Sequence, residues 1–431
     1  MLKKTSFLQT SMETFQWFIF LLASSVALPI VVGAMFDLSF PEIAGLMQRT
    51  FFVVGLASFL QAIFGHKMPI MEGPAGIWIS IFSVMAATGI QNGTAYGDTL
   101  RLLETTMILT GVFLFLFGAL KLTQYVLPIF TPLVTGTFFL LLTVQLSGTF
   151  LEGMLGLQGG SENIQVKEAL IATLTFMIVL GLSIFSKGWL SNYSMLIGIF
   201  VGWLIFVLVN GEAPVVGDVA LFALPDVFAF GMPEFNISLI PIAFITAVIL
   251  LSNIVASVVA VDQILGNKKS DRKKEINRGT VVFGLNHGLA GMFSAIANVP
   301  LSTSAGFIEL TGQKRKTPFI YASFLLMVVA FFPVIVSYIS SIPSPIANAA
   351  LMASFIQLVG LAIRNVNYHP LDNRRVTILG IAYLVGMGTM FLPAEVFSEL
   401  PLLVQNVMSN GLLVGTFLVM IMEQLWKEES Q

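Results

Sequence analysis

The 431-residue chain is 56% hydrophobic and 10% charged, with 21 basic and 23 acidic side chains and a net charge of −2. Soluble globular chains carry about 25% charged residues, so a soluble domain is excluded, and the near-neutral balance implies no nucleic-acid partner. With no cysteine and only three scattered histidines, disulfides, thiolate metal centres and a histidine-based metal site are excluded too.

Apolar runs of about 20 residues, the length that crosses a bilayer as a helix, recur from end to end. The first follows Lys3 and Lys4 and could be mistaken for a secretory signal. It continues to about Phe36 without a small-residue cleavage site, so it is expected to be a retained span. Breaks at Gly, Pro and charged clusters predict about fourteen spans. They lie near 15–36, 45–65, 75–90, 101–121, 124–148, 167–186, 189–210, 237–264, 278–297, 303–312, 317–340, 345–365, 375–393 and 402–424. The expected fold class is an all-α polytopic membrane protein.

Basic residues orient these spans. With the N-terminus inside, 18 of the 21 fall on the inner side, among them Lys3, Lys4, Lys67, Lys121, Lys187, Lys427 and the six of "NKKSDRKKEINR" (267–278). Arg49, Arg101 and Lys167 fall outside. This matches the positive-inside rule and places both termini in the cytoplasm.

Two stretches are alike: "VGLASFLQAIFGHKMPIMEGPAGIW" (54–78) and "FGLNHGLAGMFSAIANVPLSTSAGFIE" (283–309). Gly55-Leu56 matches Gly284-Leu285, Pro69 matches Pro300 and Ala75-Gly76 matches Ala305-Gly306, at offsets of 229, 231 and 230 residues. Seven spans separate the copies, so they are expected to form two inverted seven-span repeats. In each, a short span (the third and the tenth) opens at a Pro- and Gly-containing break, "MPIMEGPAG" and "NVPLSTSAG". Inverted-repeat transporters place substrate at such interruptions near the bilayer midplane. Extended backbone at that depth must be buried in protein or line a wet cavity, and the free N–H groups of each short helix can bind a polar ligand.

The candidate substrate site is therefore Glu72, Gly73, Ala75 and Gly76 on one side and Thr303, Ser304, Ala305 and Gly306 on the other. Glu72, three residues past Pro69 as Thr303 is past Pro300, is the one carboxylate among them. It is a candidate to bind substrate N–H groups or to carry a coupling proton; the bland alternative is a helix cap or a pair with Lys67. Glu309, six residues past Thr303, is turned away from it and expected to pair with Lys314. Ser252 and Asn253, polar residues in the apolar eighth span, fit either interhelical hydrogen bonding or ligand contact. Gln16 divides evenly between site support and helix packing. Asn286 and His287 lie beside Gly284, Gly288 and Gly291, a pattern of close helix packing. Trp78 is the aromatic best placed to stack on a planar ring, and His66 and His369 read as loop residues.

The segments "FQWFIFLLASSVALPIVVG", "RTFFVVGLASFLQAIFGHKMPIMEGPAG", "INRGTVVFGLNHGLAGMFSAIANVPLSTSAGFIELTG" and "IPSPIANAALMASFIQLVGLAIRNV" resemble the nucleobase–ascorbate transporter family, the second class of nucleobase:cation symporters. The resemblance covers most of the chain. Thr303, Ser304, Ala305, Gly306 and Thr311 occupy the family's tenth-span signature. It implies a core domain of spans 1–4 and 8–11 (residues 1–122 and 237–341) and a gate domain of spans 5–7 and 12–14 (123–236 and 342–431). It also implies a base held between the third and tenth spans by side chains of the eighth and tenth, alternating access, and commonly a homodimer. Two departures stand out. The family's eighth-span carboxylate aligns with Ser252, and the Gln or Glu of the signature is Thr303. Neither replacement can carry a proton, which puts proton coupling through those positions in doubt.

The expected function is a secondary-active permease for a nucleobase, a purine such as xanthine, uric acid or hypoxanthine, driven by a cation, H+ being the candidate. No cofactor is implied, and no catalytic constellation suggests an intramembrane enzyme. Two readings compete: a transporter of another small anion on the same fold, and a non-transporting receptor relative.

Overall fold

The computed structural model describes residues 7–91, 94–158, 163–211, 219–266, 272–397 and 399–426. Lys3, Lys4, Lys268, Lys269 and Lys427 of the predicted inner surface lie outside them. The chain opens with α1 (Phe7–Met35) and α2 (Phe40–Ile63), a short strand β1 (Glu72–Pro74), then α3 (Gly76–Gln91) and α4 (Tyr96–Ala119). One turn, α5 (Thr123–Val126), leads to α6 (Pro132–Met154) and α7 (Val166–Phe185); another, α8 (Trp189–Asn192), leads to α9 (Ser194–Asn210). Then follow α10 (Leu239–Leu265), α11 (Lys273–Met292), strand β2 (Asn298–Pro300) and α12 (Thr303–Thr311). The chain continues through α13 (Lys316–Ala330), α14 (Pro333–Ser340), α15 (Ser344–Val366), α16 (Asn373–Met390), α17 (Leu402–Met408) and α18 (Gly411–Leu425).

A helix or helix pair occupies each predicted segment. Among the described residues seven helices (α1, α2, α4, α6, α7, α10 and α15) are long and apolar enough to cross a membrane, and α13 with α14 makes an eighth if that bent pair is one span. Shorter apolar helices cover Gly76–Ala87, Ser194–Asn210 and Gly411–Leu425.

Four predicted segments are interrupted, 189–210 at Tyr193 between α8 and α9 and three others as follows. The segment 317–340 bends by 90° between α13 and α14, where Pro333 has no N–H to continue the ladder and disfavours helical backbone before it. The segment 124–148 becomes a continuous helix only at Pro132, capped by Thr131, whose side chain accepts from the Val134 N–H at 3.2 Å. The last segment breaks before α18, which Asn410 caps by accepting from the Leu413 N–H at 3.2 Å.

Two packing groups are visible. Helices α1–α4 gather with α10–α14 around the strand pair, while α6, α7, α9, α15, α16 and α18 pack among themselves. In the first group α4 and α11 meet backbone to backbone. A Cβ added at Gly284 would lie 2.4 Å from the Phe115 nitrogen and 2.5 Å from the Gly111 carbonyl oxygen, and one at Gly291 2.7 Å from the Glu104 carbonyl. Small residues that let backbones approach are how helices associate where lipid removes the hydrophobic drive. Gly288, grouped with these two by sequence, faces no atom within 4 Å.

Candidate functional site

The two breaks in the helices are one structure. β1 and β2 pair antiparallel, Glu72 opposite Pro300, Gly73 opposite Val299 and Pro74 opposite Asn298. Around them Leu301 N–H donates to Met71 O at 2.8 Å and Ala75 N–H to Ala297 O at 3.2 Å. Pro74 closes β1 as Pro300 closes β2, so the sequence match of Pro69 to Pro300 is displaced. Glu72 stands first in its strand, as Asn298 does in the other, whereas Thr303 is already the first residue of a helix. The symmetry argument that paired Glu72 with Thr303 is corrected accordingly. Two copies of a motif can share composition while the link from helix to strand differs in length, and here it is longer before β1 than before β2.

Three serines brace this crossing. Ser58 of α2 accepts from the Glu72 N–H at 3.0 Å, Ser304 of α12 accepts from the Met71 N–H at 3.0 Å, and Ser257 of α10 donates to Pro300 O at 2.7 Å. Strand backbone inside a membrane cannot leave its polar groups idle, which is why hydroxyls converge here. Ser304 thus serves the backbone and is buried; Ser58 and Ser257 carried no sequence signal beyond being hydroxyls in apolar helices. Ser257→Ala is expected to lower stability by about 1–3 kcal/mol, the cost of a buried unsatisfied carbonyl, read as a lower Tm of the purified protein.

The two sides of the crossing differ. Ser302, just before α12, and Thr303, Gly306 and Glu309 on it are exposed, with Ser304 and Ala305 turned inward, and a Cβ at Gly306 would meet nothing within 4 Å. α12 packs on α10, where Ser252 and Asn253 are half-buried, Ser252 bonding its own helix at Ile249 O, 2.7 Å away. On the other side α3 is closed in: a Cβ on Gly76 would stand 3.1 Å from the Phe355 ring of α15 and 3.7 Å from Leu146 of α6. Gly73, in β1, is likewise filled around, since a Cβ on it would stand 2.6 Å from the Leu301 side chain, and Ala75 is buried.

Glu72 is fully buried, and both its carboxyl oxygens lack a hydrogen-bond partner among the described residues. Asn298 is equally buried with both amide atoms unpartnered. Buried polar groups are normally satisfied, so the two strand-opening residues hold spare hydrogen-bonding capacity at the crossing. Sequence reasoning missed Asn298; its place immediately before Val299-Pro300 was the available signal.

Other expectations change. Lys67 is exposed and does not partner Glu72, and among the described residues no ion pair joins Glu309 to Lys314; Glu309 shares the open face of α12. Trp78 is fully buried and donates to His287 Nε2 at 3.2 Å, while His287 Nδ1 faces Phe283 O at 3.1 Å. That bond fixes α3 to α11 and leaves the indole inside the core, away from any open face. His66 lies in a loop, as expected, but is buried, its Nδ1 accepting from the Met68 N–H at 3.1 Å. Gln16 bonds Gln313 beside an Arg315–Glu13 ion pair of 2.6 Å, pinning α1 to the end of α12 away from the strands. Arg49, counted on the outer side, is buried in α2, donates to Ser294 O at 3.2 Å and covers the Phe230 ring at 5.1 Å. Ser294 in turn bonds Glu104 of α4, so this polar network locks the approach to β2.

The pattern described as "Permease family" matches residues 8–395. The chain is 34% identical to YwdJ of Bacillus subtilis, whose name proposes a purine permease, over 96% of this chain and 95% of that protein. It is 26% identical to the xanthine permease of the same organism, over 93% and 90% of the two chains. Among solved structures, the transmembrane domain of the cyanobacterial bicarbonate transporter BicA superposes with a TM-score of 0.67 at 14% identity, covering 95% of this chain and 98% of that one. The murine anion transporter Slc26a9 in its inward-facing state gives 0.67 at 11% identity, over 98% and 69%. These last two share the fold. With helices packed as in a transporter, and a sequence match spanning nearly its whole length, the chain belongs to the nucleobase–ascorbate transporter family and is a permease, not an enzyme.

Proposed function

We propose that the protein is a secondary-active permease for a purine nucleobase, of the xanthine, uric acid or hypoxanthine class, coupled to a cation with H+ as the candidate. It works by alternating access in a homodimer of the cell membrane. In this reading it has fourteen spans in two inverted repeats, a core of residues 1–122 and 237–341 moving against a gate of 123–236 and 342–431, and both termini in the cytoplasm.

The observation that carries the reading is the asymmetry at the strand crossing. The start of α3 is shut against Phe355 and Leu146, while the start of α12 is open at Thr303 and Gly306. A site between two half-helices, closed on one and open on the other, is what a single access state of such a transporter requires. Thr303 and Asn253 supply neutral donors and acceptors that can pair with the edges of a base, and Ser252 joins them by rotating off its helix carbonyl. Glu72 is the group proposed to meet substrate N–H atoms or carry the proton that Ser252 and Thr303 cannot.

The test is uptake of radiolabelled uracil, hypoxanthine, xanthine and uric acid into cells lacking their own permeases, with and without a protonophore. Saturable uptake of a purine that collapses with the protonophore is the expected result. Surface-expressed protein that moves none of the four bases would overturn it.

A further inference from the structure

At the end of the molecule where α4 finishes and α11 begins lies a cleft of about 560 Å³. Its lining includes Lys121, Lys274, Arg278, Gln124 and Asn277, together with Lys273. The floor is the close contact of the two helices: a Cβ on Gly118 would lie 2.6 Å from the Val281 nitrogen and 2.7 Å from the Asn277 carbonyl oxygen. Thr123 of α5 holds Asn277 by a hydrogen bond, closing one wall. The cleft is therefore built by packing, with its cations around the rim.

The charge arrangement runs against the helix dipole. Cations are favourable at helix C-termini and unfavourable at N-termini, yet Lys273 and Lys274 occupy the first turn of α11 and Arg278 follows within the next. Among the described residues no ion pair neutralises Lys121, Lys274 or Arg278, and the Arg278 Nε is buried without a partner. Glu275 stands beside Lys274 in the same turn of α11 without lining the cleft, and Asp262 of α10 pairs with Arg272. Among the described residues four positive side chains line the cleft between the end of α4 and the start of α11, and no carboxylate does.

The same two helices continue away from the cleft as apolar surface. Val112, Leu116 and Leu120 follow one another at intervals of four along α4 and are 48%, 42% and 63% exposed, and Leu285 of α11 is 50% exposed. Lys274, Arg278, Val281 and Leu285 fall on one helical stripe, charged at the cleft and apolar beyond it. Phosphate needs the cations and acyl chains need the stripe.

We propose that this cleft binds the phosphate headgroup of an anionic phospholipid, its acyl chains lying along α4 and α11. Basic pockets between membrane helices at one face of a bilayer hold such headgroups, each Lys or Arg contributing roughly 1 kcal/mol near an anionic surface. Binding is to a helix pair in the first packing group, remote from the strand crossing, and does not depend on which substrate the site takes.

The experiment is thermal unfolding of the purified full-length protein in detergent, titrated with phosphatidylglycerol, with phosphatidylcholine or with inorganic phosphate. Phosphatidylglycerol is expected to raise the Tm saturably and at lower concentration than phosphatidylcholine, with an effect that weakens as salt is added. Lys121→Gln, Lys274→Gln and Arg278→Gln together are expected to weaken that response about 100-fold, about fivefold per charge. Lys121→Arg with Lys274→Arg should retain it. If the triple variant does not fold, Arg278→Gln alone is measured, with about a fivefold loss expected. Equal responses to the two lipids, or a neutralised variant that responds like wild type, would overturn the proposal. A response to inorganic phosphate that matches and blocks that of the lipid would overturn the lipid assignment in favour of a soluble phosphate ligand.

Discussion

Glu72→Gln is expected to leave the fold intact and to cut purine uptake about 10- to 100-fold, the worth of a hydrogen bond to a charged group in a buried site. The substitution keeps size and shape, and since neither carboxyl oxygen has a protein partner it breaks no bond that holds the strands. The bond from the Glu72 N–H to Ser58, which does hold them, uses backbone and survives. Uptake and Tm measured side by side separate the outcomes. Lost uptake at an unchanged Tm assigns Glu72 to substrate or proton, and if the residual uptake no longer responds to a protonophore, to the proton. Full protonophore-sensitive uptake in the variant would remove Glu72 from the mechanism and leave Ser252, Asn253 and Thr303 as the polar site. Asn298→Ala, at the other strand start, is the natural companion measurement.

The second large effect separates two helical glycines, one packed and one open. Gly284→Leu is expected to prevent assembly of the first packing group. Its Cβ alone would sit 2.4 and 2.5 Å from backbone atoms of α4, and backbone cannot rotate aside as a side chain can. Overpacking in a well-packed interior costs about 1–3 kcal/mol even where side chains absorb it, and here the helices must separate. Loss of folded protein by size-exclusion chromatography is the readout. Gly306→Leu has room for its Cβ and should fold with a normal Tm. It projects a branched side chain onto the open face of α12 beside Thr303, and is expected to reduce uptake at least about tenfold, as an obstructed path would. If Gly306→Leu transports normally, the open face of α12 is not the route of the substrate.

How far the sequence reached can be judged residue by residue. Glu72, Thr303 and Gly306 were identified from the two Pro- and Gly-containing breaks, and the structure brings those breaks together as one strand pair. Ser304 was read in the same way and turned out to brace Met71, because one residue along a helix turns the side chain by about 100°, and sequence does not say which face will be covered. Asn298 was passed over because an Asn beside a proline reads as turn chemistry until its amide is seen buried and idle. Glu309 was turned away from Thr303 by helical geometry, yet a face of α12 wide enough to expose Thr303 and Gly306 takes in Glu309 as well.

The sequence by itself determined the class, the helical segments and the two sites of interruption. Those follow from local physics: about 20 apolar residues in lipid must close their own hydrogen bonds as helix, and a proline removes one of those bonds and disfavours helix before it, although α1 carries Pro29 without ending there. Only the tertiary structure decided the register of Glu72 against Pro300, the displacement of Pro69, the burial of Arg49 and Trp78, and the meeting of α4 with α11. Each joins residues some 200 positions apart, and none is favoured by its own neighbours in the chain. They are fixed by which helix faces can approach, at Gly111 and Gly284 through the absence of a side chain and at the strands through the three serine hydroxyls. That choice is made by packing in three dimensions, where sequence distance has no bearing.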